Sequence, residues 1–507
     1  MKDLLKPTIK ITILSFCGIL LSFISQLLVA YYFGTSSGRD AYFSAIVLPT
    51  YFVAILTGSI GFVFLPKVIE LKNINEDSAR KFINTVLVAT TLVMVVLIFL
   101  GLLFSESILK ITAPGFNAEM IVYTQNLFRI LLFSSMFFVL TNLISYLYQI
   151  KKKFVRTALA PLISIPIGIF FIIILNSHIG IMSLAIGTLL GSIISLLMVL
   201  PILFTKEFRF DFHIDVFDSN FFSTIKLCVP LLLGGIVFRS APVFERMIAS
   251  ELESGSISIL GYSAQLISTL STIATSGIVI SFFPSMSEAW IKDTNLFNQY
   301  FNKGILIILL LIIPIAFSFV LYGDVFIQIL LERGAFTHQD TLALSETFAL
   351  MTPALVMLCL GGITSKIYYI SKRTLDLTII SSFELVSYLS LTYFLSRYYG
   401  YIGIAIGTSL AYSLFMLVYF FYGTIFILKK YNHKMIFIES LKIILISVFS
   451  FIFSYLFYTV VSDEINKYWA LIFSLLIAFI LYLFLLYKFK NLEIISFVQK
   501  LKKLKNN

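Results

Sequence analysis

The stretch GYIGIAIGTSLAY (residues 400–412) has a near-copy in GIMSLAIGTLLGS (residues 180–192). Neighbouring landmarks recur at the same offset. Tyr148-Gln149-Ile150 and the lysines 151–153 match Tyr368-Tyr369-Ile370 with Ser371, Lys372 and Arg373. Ala41-Tyr42 matches Gly261-Tyr262, Gly115-Phe116 falls close to Gly334 and Phe336, and Leu65-Pro66 falls near Phe283-Pro284. An offset held across five landmarks is the mark of an internal duplication.

Composition states the solvent. The chain is 59% hydrophobic and 12% charged over 507 residues, with a mean hydropathy of +0.98. Long apolar runs recur from end to end, which is the pattern of a chain dissolved in lipid. The first run, 9–33, is longer than a signal-peptide core and is read as a retained membrane helix. Cys17, Cys228 and Cys359 lie inside apolar runs, as small core residues do, and the four histidines lack metal-ligand spacing. Neither a disulfide nor a metal centre is expected.

Fourteen spans are expected: 8–33, 41–66, 82–104, 120–149, 156–176, 179–204, 223–249, 258–285, 303–323, 341–370, 375–396, 400–427, 435–460 and 467–488. Each can cross a hydrocarbon core of about 30 Å at about 1.5 Å per residue. Alternating the loops between two sides puts roughly 27 Lys and Arg on one side against about five on the other. That side holds both termini, so the N- and C-termini are expected in the cytoplasm. The formal charge of +11 is then topological, and the basic tail is expected on anionic headgroups rather than on nucleic acid.

The repeat unit is therefore six helices. Six is even, so the copies are parallel repeats about an axis along the membrane normal, a frame used for alternating access. The expected fold is an all-α polytopic membrane protein with about 14 transmembrane helices. An N-lobe (1–204), a cytoplasmic amphipathic linker (205–222) and a C-lobe (223–428) precede two added helices (429–490) and a basic cytoplasmic tail (491–507).

Five motifs carry a family likeness: FGTSSGRDAYF (33–43), ITAPGF (111–116), FERMIASELESGSISILGYSAQL (244–266), FFPSMSEAW (282–290) and LLERGAFTHQDT (330–341). In order and spacing the chain resembles the MurJ/MviN family of lipid-linked oligosaccharide flippases, within the superfamily of multidrug, oligosaccharidyl-lipid and polysaccharide exporters. The resemblance implies a V-shaped two-lobe transporter that moves an undecaprenyl-pyrophosphate-linked saccharide to the outer leaflet. By default that cargo is lipid II, which places the chain in peptidoglycan biosynthesis at the bacterial cytoplasmic membrane. It implies no enzyme chemistry and no cofactor beyond a coupling proton or sodium ion. The transporter unit is expected to be monomeric. Where the family carries arginines, this chain holds Ile19, Ser25, Val53, Ala54 and Gln265, while the family aspartate is kept as Asp40. Those replacements favour a lipid-linked glycan other than lipid II.

Ionisable residues at bilayer depth cost about 2.5–3.5 kcal/mol on insertion scales, so each needs a use or a partner. Arg239 and Arg246 are seven apart in the expected span 223–249 and would share a helix face, where two forks suit a diphosphate. The competing reading has Arg246 snorkelling to the outer interface. Asp40, Gln265, Arg129 and Ser25 complete the candidate substrate set, with capping or snorkelling the plainer role for Arg129. Glu245 either pairs with a neighbouring helix or lines the cavity. Glu384 lies mid-span, where an unpartnered carboxylate favours its neutral form. It is the candidate coupling-ion carrier with Glu245, against a structural pairing with Lys366 or Arg239. Lys366 is expected to snorkel, and Glu439 and Lys442 to pair on one helix. The family likeness also offers spans 13 and 14 as a groove for the polyprenyl tail. A drug exporter of the same superfamily is the alternative transporter. A glycosyltransferase or ligase would need a large outer loop, and the longest here is only about 17 residues.

Overall fold

A computed structural model describes residues 2–211, 218–429 and 431–489. The part of the expected linker at 212–217 and the basic tail at 491–507 lie outside the described residues. In chain order the helices are α1 (Lys2–Phe33), α2 (Ser37–Ile74), α3 (Glu76–Leu103), α4 (Ser105–Thr112), α5 (Ala118–Ile150), α6 (Phe154–Ile179), α7 (Met182–Val199), α8 (Ser219–Phe238) and α9 (Ala241–Ser250). They continue as α10 (Ser256–Lys292), α11 (Thr294–Leu331), α12 (His338–Ile370), α13 (Thr374–Tyr422), α14 (His433–Val461) and α15 (Lys467–Lys488). No strand occurs among the described residues. In lipid a helix satisfies its own backbone, which is why apolar runs of this length take that form.

Among the described residues, 13 helical stretches are long and apolar enough to cross a membrane, against the fourteen spans expected. The difference lies in the stretch Thr374–Ile427, in which α13 and the turn after it take up both 375–396 and 400–427, with a break at Gly400 (φ 58°, ψ −138°). The matching Gly180 has φ 54° and ψ −136° and separates α6 from α7. Beyond each glycine the chain folds back on itself. A Cβ on Gly187 would lie 3.0 Å from the Gly168 carbonyl oxygen, and one on the matching Gly407 would lie 2.9 Å from the Thr392 backbone nitrogen. The AIGT copies are thus close-packing helix faces, the role small residues play in membranes.

The duplication reaches the backbone of the turns. Lys152 (φ 56°) and Lys372 (φ 60°) occupy the left-handed region at the same point of the two basic loops. The two glycine-phenylalanine loops each end in a helix cap. Asn117 accepts from the Met120 N–H at the start of α5, and Thr337 forms a capping box with Asp340 at the start of α12.

By internal packing the chain forms two compact units, residues 1–258 with 333–336, and residues 259–332 with 337–507. The duplication assigns the span at 223–249 to the second repeat, whereas its packing places it in the first unit. Homology and contact are different partitions of the same chain. The first unit has cores around Phe64, Phe82 and Leu147 and around Ala45, Leu131 and Ala185. On its linker side Glu207 is ion-paired with Lys72 and, at 2.7 Å, with Lys151, while Phe208 is buried beneath them.

In the second unit α14 and α15 are fastened to α11 by hydroxyls. Tyr322 and Ser454 share a hydrogen bond of 2.6 Å, Ser454 donates to the Ser474 carbonyl, and Tyr482 donates to that of Leu310. In a solvent that offers no competing partner, such bonds hold helices together where apolar attraction cannot. The expected Lys442–Glu439 pair is present at 2.7 Å.

Candidate functional site

The expected span 223–249 is not one continuous helix. α8 stops at Phe238, Arg239 has non-helical φ −102° and ψ 4°, and α9 restarts with Pro242 in its first turn. Proline lacks the N–H a continuous helix would need, so the chain breaks here. The shared helical face expected for Arg239 and Arg246 is therefore not formed, and the two side chains have different surroundings.

Arg239 is exposed. Its Nη2 lies 3.5 Å from where a Cβ on Gly58 would sit, so the guanidinium reaches across α2 at a position with no side chain. Beside it Tyr51 donates 2.8 Å to the Ile236 carbonyl, tying α2 to the end of α8. Among the described residues no carboxylate pairs with Arg239. It is a forked cation held at a helix break with its donors unspent.

Arg246 is only 7% exposed. It donates to the Ile257 carbonyl at 3.0 Å, lies 3.5 Å from Glu245 and stands 5.2 Å from the Phe43 ring centre. Arg39 covers the same ring at 3.9 Å. Asp40 is buried and accepts from the Gly255 N–H at 2.6 Å and from the Ser258 N–H at 2.8 Å. The Ser258 hydroxyl donates to it as well. A carboxylate there satisfies amides that the first turn of α10 leaves unpaired, and it complements the helix dipole. Asp40, Glu245 and Arg246 thus form one cluster of mutually occupied groups. The cation beside Glu245 is thus the next residue of its own helix, a pairing outside the two roles that sequence reading offered for it.

Arg129 is exposed on α5, and Ser25 is half-buried on α1. In the second unit Gln265 is half-buried with its Oε1 enclosed and unbonded. Glu384 is half-buried in α13 with no hydrogen bond or ion pair among the described residues. Lys366, offered as its structural partner, instead stands 5.3 Å and 5.4 Å from the rings of Phe283 and Tyr369. No group of three metal-ligating side chains occurs among the described residues.

Sequence reading offered spans 13 and 14 as a groove, whereas the second unit has a cavity of about 720 Å³ lined by Leu309 and Ile313 of α11, Val356 of α12, Phe420 of α13 and Ile444, His433 and Lys434 of α14. Sequence reading did not bring α11 to α13 into it. It also passed over Tyr51, Arg39 and Tyr322. A lone tyrosine in an apolar run could have signalled Tyr322, since a buried hydroxyl needs a partner.

A family model described as "Lipid II flippase MurJ" matches residues 29–495. The lipid II flippase MurJ of Thermosipho africanus is 28% identical over 489 residues, covering 95% of this chain and 96% of its own. A probable lipid II flippase MurJ of Buchnera aphidicola is 26% identical over 417 residues, covering 80% and 81%. A solved lipid II flippase MurJ in an inward closed conformation superposes with a TM-score of 0.81 at 25% identity, over 95% of this chain and 98% of that one. An inward-facing multidrug transporter of the MATE family gives 0.71 at 16% identity, over 81% and 95%, a likeness of fold alone. With a match over nearly all of its length, the chain belongs to the lipid II flippase MurJ family.

Proposed function

We propose that this chain flips lipid II from the cytoplasmic to the outer leaflet of the bacterial cytoplasmic membrane by alternating access, as a single transporter unit with both termini inside. The observation that carries this reading is Arg239, an exposed guanidinium at a helix break with no ion-pair partner among the described residues. A diphosphate leaving water needs forked charge-assisted donors, and Arg239 has them to give. It takes over the work of the arginines that this chain lacks in its first two helices. The names carried by its relatives weigh against the different glycan that those replacements favoured.

The apolar cavity of about 720 Å³ in the second unit suits the polyprenyl tail, since its walls are largely hydrocarbon, with His433 and Lys434 among the lining residues. Glu384 is the coupling-ion carrier in this reading. It is an acidic group in lipid with no fixed partner, so taking up a proton or sodium ion removes its charge for one half of the cycle.

The test is replacement of an essential lipid II flippase by this chain at normal expression. Rescue of growth is expected, with loss of rescue for Arg239→Gln at unchanged membrane abundance. Accumulation of a different lipid-linked saccharide when this chain is removed from its own host would redirect the substrate assignment. Extrusion of cationic drugs without any effect on lipid-linked intermediates would favour the exporter alternative.

A further inference from the structure

Two loops that the sequence marks as copies of each other make the same unusual contact. A Cβ added to Gly115 would lie 2.0 Å from the Ser250 carbonyl oxygen, and one added to Gly334 would lie 2.3 Å from that of Tyr31. The same offset of 219 residues relates Gly115 to Gly334 and Tyr31 to Ser250. Each loop is thus seated on the end of the opposite repeat's first helix. The loop of the first repeat meets the end of α9, and the loop of the second meets the end of α1. Hydrogen bonds run along both seams. The Gly115 N–H donates to the Ser250 hydroxyl at 3.2 Å, and the Ala335 N–H donates to the Tyr31 carbonyl at 2.8 Å. Asp40 bonds Gly255 and Ser258 alongside.

We infer that these reciprocal glycine contacts are a paired outer latch, which must part for the outer ends of the two repeats to separate, and whose fit sets how often they do. Backbone lies against backbone at both places, so no side-chain rotation can relieve an added methyl group and the loop itself must move. Leucine-sized apolar pairing would not serve equally well here. Lipid competes for apolar contacts, whereas backbone hydrogen bonds between closely approaching segments are made or broken as a set. The two halves are related by the duplication, but Gly334 also has a φ of 61°, so Gly115→Ala is the variant that reads the contact alone.

The inference rests on the alternating-access reading, and its test does not require transport. Ser44→Cys is introduced into the full chain after Cys17, Cys228 and Cys359 are replaced by serine. Ser44 is 2% exposed and lies one turn along α2 from Asp40, on the stripe that continues to Tyr51. Spheroplasts are treated with a membrane-impermeant maleimide and the labelling rate is measured. Gly115→Ala and Gly334→Ala are each expected to raise that rate by on the order of tenfold. Gly361→Ala, where an added Cβ meets nothing within 4 Å, should leave it unchanged. Equal rates in all three variants at equal membrane abundance would overturn the latch. Should the glycine variants fail to reach the membrane, Ser250→Ala decides, because it removes the acceptor of the Gly115 N–H and otherwise only a bond within its own helix, to the Met247 carbonyl. A two- to threefold rise supports the latch and an unchanged rate overturns it. Faster labelling in a chain that still fails to replace a lipid II flippase would leave the latch standing and count against the proposed substrate.

Discussion

Arg239 and Arg246 share one expected membrane span, yet one is exposed with no ion-pair partner among the described residues and the other is buried under Phe43, Glu245 and the Ile257 carbonyl. The difference is made by the helix break between them and by what packs outside it. Beyond the break, α9 enters a cluster in which every charge is answered by the protein. Below it, the Arg239 guanidinium lies against α2 at Gly58. In lipid a charge answered by its own fold is structural, and one left open is available to a ligand.

The largest effect should come from emptying the answered cluster. Asp40→Ala removes a carboxylate that three donors of the 255–258 turn share, and it should destabilise the fold by about 3 kcal/mol or more. Thermal unfolding in detergent would show it as a lower Tm, and an unchanged Tm would mean that the cluster is not structural. Arg239→Gln should leave Tm alone and slow flipping roughly tenfold to a hundredfold, the worth of one charge-assisted contact. Arg239→Lys should recover only part, because an ammonium lacks the fork. A parental flipping rate in the Gln variant would end the comparison. Glu384→Gln should keep the protein in the membrane but remove the dependence of transport on pH, sodium or potential, where the field contributes about 2.3 kcal/mol per charge per 100 mV. Flux measured at two imposed potentials checks it, and an unaltered dependence assigns Glu384 to structure.

The smallest effect concerns Glu207, outside the membrane. Burial pushes its carboxyl up, but hydrogen bonds from Lys151 and Lys72 outweigh that and hold it below the usual carboxylate range. With a depressed folded-state pKa, its contribution is full above the ordinary carboxylate range and is lost as pH falls through the depressed value. Being largely solvated, the clasp should be worth under about 1 kcal/mol. Amide exchange over residues 205–211 should quicken on acidification in the parent, and Glu207→Gln should remove most of that pH response. An equal response in both would place the effect elsewhere.

Much of the fold was legible in the chain. Hydropathy marks the spans, and the paired AIGT segments mark the duplication, down to the matching left-handed Gly180 and Gly400. The candidate site was legible only as a set of residue types. Arg239, Arg246, Asp40 and Glu384 stand out as charges in apolar runs, but nothing local tells the open ones from the committed ones. Periodicity treated 223–249 as one helix and so set Arg239 and Arg246 on one face. The break came from Pro242 at a helix start, which sequence alone cannot distinguish from a kink inside a continuous helix.

The sequence by itself determined the solvent, the helices and the repeat, because hydropathy and small-residue spacing act through neighbours along the chain. Only the tertiary structure decided which charges are spent. The partners of Asp40 lie 215 and 218 residues away, and the seat of the Gly115 loop lies 135 residues away at Ser250. Burial and hydrogen-bond satisfaction arise where distant segments meet, so a charge acquires its role only after the chain has folded.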